Sequence, residues 1–248
     1  MRFRDRTVKS LSALLEALQT QAVVRQPIWF RGQSFKEWAL VPSLARKADH
    51  LKAENALIKR FIQNAAPHLT AQPLHEWEWM FLMQHHRAPT RLLDWTESPL
   101  IAMYFAVASA EHVADAGAVW CLDPIALNKE ARLRFEFDQE IPAPGIDKVC
   151  ESYLPSHVSE NPSELFPIAV VGPRNTPRMV AQLGTFTLNH RMHTPLEKIG
   201  DRKHVWRWTI PSGAKLRIRK ELAHLGISAL TLFPELDRVA DLTKELLQ

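Results

Sequence analysis

The stretch Gln84-His85-His86-Arg87-Ala88-Pro89-Thr90-Arg91-Leu92-Leu93-Asp94-Trp95-Thr96-Glu97-Ser98-Pro99 gathers imidazoles, guanidiniums, carboxylates and hydroxyls, then opens directly into an apolar run, Leu100 to Ala108. Pro99 suits the first position of a helix, where its missing N–H costs nothing, and Ser98 or Thr96 can cap the free donors behind it. The run is therefore a buried helix with a polar cluster at its N-terminus. Free backbone N–H groups and the partial positive charge of such an end favour an anion or a phosphate, here beside Arg91.

Length and composition bound the rest. A chain of 248 residues with 46% apolar content can bury a substantial core, and we expect a single domain over residues 1–248, with the motif core about 26–190 and a strand and helix region, 204–248, packed on it. The formal charge of +4 is spread among interleaved acids, which permits a nucleic-acid target without implying one. Cys121 and Cys150 lack the paired spacing of a zinc site and read as reduced thiols of a cytoplasmic protein. The longest apolar stretch, Pro99 to Ala110, falls short of the ~20 residues a spanning helix needs. Arginines near the N-terminus have no apolar region after them, so neither a membrane span nor a secretory signal is expected.

Periodicity gives the organisation. Leu11, Leu14, Leu15 and Leu18 predict a helix over 8–21 with Ser10 as a cap, and Ile28 to Gln33 has the branched and aromatic content of a strand. Residues 45–66 and 76–86 look helical, with Leu57, Ile58, Phe61, Ile62, Trp77, Phe81 and Leu82 inward. Strands are expected over 91–95, 117–122, 166–171 and 205–210, and the alternation of 179–189 reads as another. Helices over 215–225 and 236–247 close the chain. The expected class is α+β, a helix-rich N-terminal half on a mostly antiparallel β core.

Several residues can carry chemistry. Arg31, leaving a strand end, can grip a pyrophosphate through its fork, or brace the core against Asp94 or another acid. Arg91 and Asp94 can pair with each other. His85 and His86 point about 100° apart on a helix, so only one of them can face a given ligand. His85 is the candidate acid, base or stacking partner. Glu97 can act as a carboxylate base or simply stabilise a helix start. Arg178 and Gln182, four apart, share a face if the segment is a strand. Trp77, Trp79 and Trp95 can stack on a base or fill the core. No metal site is expected, since histidines and carboxylates at ligand spacing are lacking.

The motifs resemble those of the FRG domain family: Phe30-Arg31-Gly32 within Trp-Phe-Arg-Gly-Gln; Trp38 to Arg46; Phe81 to His86 and on through Thr96; Ala102 to Ala106; Arg178 to Phe186; and the tail with Gly226-Ile227 and Leu232-Phe233-Pro234. Arg87 departs from the pattern, where the family often has glycine. A weaker resemblance is to ADP-ribosyltransferases, with Phe30-Arg31-Gly32 as the strand end that grips the dinucleotide and Asp94 to Ser98 as the polar strand end before a helix. Gln182 stands where that resemblance expects a late glutamate. It implies a split sheet and a nucleotide-handling enzyme acting on NAD by transfer or hydrolysis, in a toxin or phage-defence setting. The implied catalytic residues are Glu97, Asp94 and His85, and the implied NAD-binding residues are Arg31, Gln33, Gln84, Thr90, Arg91, Thr96, Ser98, Arg178 and Gln182. A module that binds a nucleotide or nucleic acid without turnover is the alternative, which Gln182 favours, and a nuclease the third. A protein or nucleic-acid target is compatible with each reading, and the oligomeric state is left open. Arg31, Gln84, Arg91, Asp94, Thr96 and Gln182 lie near element ends and are expected to line one concave surface.

Overall fold

The computed structural model describes residues 5–21, 27–131, 140–160, 164–191, 194–236, 239–240 and 243. In chain order its elements are β1 (Arg6–Thr7), α1 (Leu11–Gln21), β2 (Trp29–Gln33), α2 (Ala48–Lys52), α3 (Glu54–Ala65), α4 (Glu76–His85), β3 (Leu92–Thr96), α5 (Pro99–Val107), β4 (Gly117–Leu122), α6 (Pro124–Glu130), α7 (Pro155–Glu160), β5 (Ile168–Val170), α8 (Pro177–Ala181), β6 (Gly184–Leu188), β7 (Val205–Ile210), α9 (Ser212–His224) and α10 (Ala229–Leu232). The class is α+β. The described strands form one seven-stranded sheet in the order β1-β7-β4-β2-β3-β6-β5. Every pairing is antiparallel except β1 with β7.

Alternation along the strands builds a core on each face. Phe30, Val119, Cys121, Trp206 and Trp208 pack with Ala102, Met103 and Ala106 of α5 and Ile218 and Leu222 of α9. Their neighbours Trp29, Ala118, Trp120, Leu122 and Val205 pack on the other side with Trp95 and Leu127. All six residues of β4 are buried, as expected of a strand covered on both faces. A third cluster joins α4, through Trp77, Met80 and Phe81, to Leu92, Phe186 and Leu188. Trp77, Trp79 and Trp95 are all buried.

Helix α5 lies directly against β2 and β4. A Cβ built on Gly32 would stand 1.8 Å from the carbonyl oxygen of Ala102 and 2.7 Å from the amide nitrogen of Ala106, and one on Gly117 would stand 2.5 Å from the carbonyl oxygen of Ala106. The sheet then narrows between β2 and β3. They share a single paired position, Phe30 with Thr96, whereas β2 follows β4 from Trp29 to Gln33 and β3 follows β6 from Leu92 to Thr96.

Three expectations need correction or restriction. The alternating segment 179–189 is a strand only from Gly184. Thr176 caps α8 by accepting from the Met179 amide at 3.2 Å, Pro177 opens the helix, and Leu183, in the left-handed region at φ 47°, turns the chain into β6. Arg178 and Gln182 are therefore related by a helical turn and not by a strand period. The helix over 45–66 is divided at Ala53 into α2 and α3, and Leu57, Ile58, Phe61 and Ile62 are only half-buried. The helix over 236–247 lies largely outside the described residues.

The contact at Gly32 is testable by denaturation. Gly32→Ala forces a methyl group into the α5 backbone and should lower stability by about 3 kcal/mol in urea titrations. Gly213→Ala in α9 is the control. Nothing lies within 4 Å of its added Cβ, so that change should be neutral or stabilise by about 0.5 kcal/mol.

Candidate functional site

Where β2 and β3 part, a cleft of about 360 Å³ opens, lined by Arg31 of β2, Gln84 and His85 of α4, Asp94 and Thr96 of β3, and Arg178 and Gln182 of the α8 segment. The rings of Phe30, Phe81, Trp95, Phe105 and Phe186 form its apolar walls. Phe81 and Phe186 meet with centroids 5.3 Å apart.

Arg31 bridges the parted strands. Its Nη1 donates to the backbone carbonyl of Asp94 at 2.6 Å and lies 4.0 Å from the Asp94 carboxylate. Its Nε is buried and has no protein partner. Burial lowers the Arg31 pKa, Asp94 opposes that shift and Arg46 adds to it, but a guanidinium remains cationic at neutral pH. The cleft therefore holds a fixed cation whose Nε is enclosed by protein.

A chain of hydrogen bonds sets the Asp94 carboxylate. The Leu92 amide donates to Thr90 Oγ1 at 3.1 Å, the Thr90 hydroxyl donates to Gln84 Oε1, and Gln84 Nε2 donates to Asp94 Oδ1 at 2.8 Å. The Asp94 side chain is 60% exposed, so it is held from behind while remaining open to a ligand. Thr90 acts on the site through Gln84, since it is buried and does not line the cleft.

The α8 side supplies a second guanidinium. Arg178 lies over the Phe233 ring, 4.9 Å from its centroid, and its Nη1 is 3.7 Å from Glu235. Gln182 Nε2 donates to the Leu232 carbonyl at 2.9 Å, and the backbone carbonyl of Gln182 accepts from the Thr96 hydroxyl at 2.7 Å. His85 has its pKa lowered by burial, then by His86 and Arg178, with Glu235 opposing. Its imidazole is neutral at pH 7. Arg87, which also lines the cleft, follows α4 in the left-handed region at φ 60°. That is a conformation glycine accepts without strain.

Other candidates lie outside the cleft. Arg91 is fully buried and pairs with Glu54, its Nε donating to Oε1 at 2.8 Å and its Nη2 closing a second bond, while Nη1 donates to the His190 carbonyl at 3.2 Å. In extended chain, residues three apart point to opposite faces, so Arg91 and Asp94 do not meet. The anion site expected beside Arg91 at the start of α5 is thereby corrected. Glu97 turns outward and pairs with Arg174 at 2.5 Å. Ser98 caps α5, its hydroxyl accepting from the Ile101 amide at 3.4 Å. Gln33 is buried, accepting from Trp120 Nε1 at 2.8 Å. None of these four lines the cleft.

Sequence reasoning missed Arg87, Phe186 and Phe233 as site residues. The alternation of Gly184, Phe186 and Leu188 opposite Thr96, Asp94 and Leu92 is the signal that could have placed Phe186. Phe233 carries no local signal, because its role depends on α10 folding back onto α8. Among the described residues, no group of three or more His, Cys, Asp or Glu side chains is placed to hold a metal, and no helix is long and apolar enough to cross a membrane.

The Arg91–Glu54 pair makes a stability prediction. Glu54→Gln leaves a buried guanidinium without its counter-charge and should cost about 3–5 kcal/mol, whereas the double replacement Glu54→Leu with Arg91→Met should recover most of it. Urea denaturation of the wild type and the two variants measures both differences. His190 makes another prediction. Burial, then Arg91 and Arg191, lower its pKa to about 4, below the ~6.5 of an unfolded histidine. Above pH 6.5 both states are neutral and the contribution is fully present. As pH falls toward 4 only the unfolded chain takes the proton, and stability is lost. The urea midpoint should fall across that window and fall less steeply in His190→Asn, which keeps an acceptor for the Leu165 amide.

No curated protein and no solved structure is found to match the chain. A family model does match, over the segment that carries β2, Gln84, His85, Asp94 and most of the cleft's first wall: residues 26–115 are similar to the FRG domain.

Proposed function

We propose that the cleft is a nucleotide site that handles NAD, either transferring its ADP-ribose or hydrolysing it. The observation that carries this reading is Arg31, a guanidinium that lines the cleft and is held between the parted strands beside a positioned carboxylate. A guanidinium so fixed offers an anion a charge-assisted bond at little further ordering cost. The aromatic walls suit the flat rings of a nucleotide, and the 360 Å³ lies within the range of small-molecule sites.

The chemistry follows from the residues that share the cleft. When the glycosidic bond to nicotinamide breaks, its electron pair leaves with the ring, which departs neutral, and positive charge develops on the ribose. Asp94 faces that charge and stabilises it. Gln84 keeps the carboxylate oriented. Water or an acceptor hydroxyl then bonds to the ribose carbon and releases its proton. Glu97, paired with Arg174 outside the cleft, has no part in this step.

Nicotinamide release from NAD, measured beside NAD affinity, is the test. Asp94→Asn should slow release about 100-fold or more, the range seen when one transition-state contact is removed, and change affinity less than about threefold. Arg31→Lys keeps the charge but loses the fork, and should weaken affinity about tenfold while the protein still unfolds cooperatively. If NAD does not bind the wild-type protein at all, the reading fails.

A second reading, binding without turnover, is favoured by Gln182, which carries no carboxylate and has its amide engaged by Leu232. Arg31-dependent binding with no nicotinamide release would select it. The setting, toxin or phage defence, rests on the family resemblance alone.

A further inference from the structure

Beside the cleft lies a wider hollow of about 890 Å³, walled by Ser34, Tyr104, Ser109, Phe233 and Glu235. It shares His85, Arg87, Phe105 and Arg178 with the cleft. The boundary between the two compartments therefore consists of two guanidiniums, an imidazole and one ring. Positive charge thus sits where the two hollows meet, in addition to Arg31 within the cleft.

The guanidiniums at this boundary repel each other. Arg87 is among the causes that lower the Arg178 pKa, second to burial. Glu235 offsets that repulsion only at 3.7 Å and from a side chain that is 38% exposed. An anion resting on the boundary relieves it. Arg178 is nevertheless held in place, because Phe233 lies under its guanidinium and meets Phe105 edge-on with centroids 6.0 Å apart. The adjacent Leu232 carbonyl ties down Gln182. One short segment at the end of α10 thus lines the groove and holds side chains that border the cleft.

A ligand suited to this arrangement carries its charge in the middle and a flat ring system at each end. A mononucleotide or a nucleoside triphosphate carries its charge at one end. We infer that cleft and groove are one elongated site for a dinucleotide, with the pyrophosphate crossing from Arg31 to Arg178 and Arg87, the reacting riboside beside Asp94, and the second nucleoside in the groove with Phe233. The inference rests on the nucleotide reading above and assigns a binding role to residues outside the matched segment 26–115.

Calorimetric titration of the full chain with NAD and with nicotinamide mononucleotide, which fills the cleft half alone, tests it. NAD should bind at least tenfold more tightly than the mononucleotide. Phe233→Ala should remove most of that advantage, weakening NAD at least fivefold more than the mononucleotide, and Phe233→Tyr should restore it. Arg87→Gly, at a left-handed position where glycine is unstrained, should weaken NAD about fivefold and flatten its salt dependence. Equal wild-type affinities for the two ligands overturn the dinucleotide inference while leaving the nucleotide reading intact. An equal loss of both ligands in Phe233→Ala gives Phe233 a scaffold role and also overturns it. If neither ligand binds, the nucleotide reading itself falls.

Discussion

The absence of a side chain at Gly32 sets the geometry on which the site depends. Because α5 backbone lies where a Cβ would stand, the helix beds directly on β2, and Phe30, Ala102 and Ala106 close into one core. Phe105, one residue before Ala106, is then carried to the edge of the cleft. Strand β3 and helix α5 are consecutive, joined by Glu97 and Ser98, so the placement of α5 also fixes where β3 leaves β2. Their ladder lasts one position, and Arg31 occupies part of the gap by donating to the Asp94 carbonyl. The Arg-Gly pair divides the work: glycine admits the helix and arginine satisfies the backbone that the splayed strands leave unpaired.

Much of this was legible in the sequence because it is local. Ser98-Pro99 before an apolar run specifies the start of α5, and the strands over 117–122 and 205–210 match β4 and β7 in content and in bounds. Residues adjacent to such elements were placed well enough that Arg31, Gln84, His85, Asp94, Thr96, Arg178 and Gln182 all line the cleft. What failed was non-local. Arg91 was read beside Asp94, yet its partner is Glu54, brought in by the break between α2 and α3. No spacing rule links positions 54 and 91. The segment 179–189 has a strand's alternation, but Thr176-Pro177 is a helix start, and a cap outweighs a short alternating pattern when the helix that it opens is also short.

Charge placement separates the two faces of the polar stretch. Arg91 and Glu97 lie on either side of β3 in sequence and both are neutralised by acids or bases away from the cleft. Among the residues that line the cleft, Asp94 is the carboxylate, set against Arg31, Arg87 and Arg178. An excess of fixed cations over one open carboxylate suits a ligand that is itself anionic.

The orientation of that carboxylate has a backbone origin. The Leu92 amide donates to Thr90 Oγ1, which leaves the Thr90 hydroxyl proton free to donate onward to Gln84 Oε1. With its oxygen so engaged, the Gln84 amide must present its NH₂ group to Asp94. Every donor in the chain is neutral and points the same way, so no proton need move for the carboxylate to stay an acceptor. A relay of this kind holds Asp94 without quenching its charge, as a direct lysine or arginine bond in the same place would. The result is a carboxylate with one oxygen oriented by Gln84 and its surface open to a ligand.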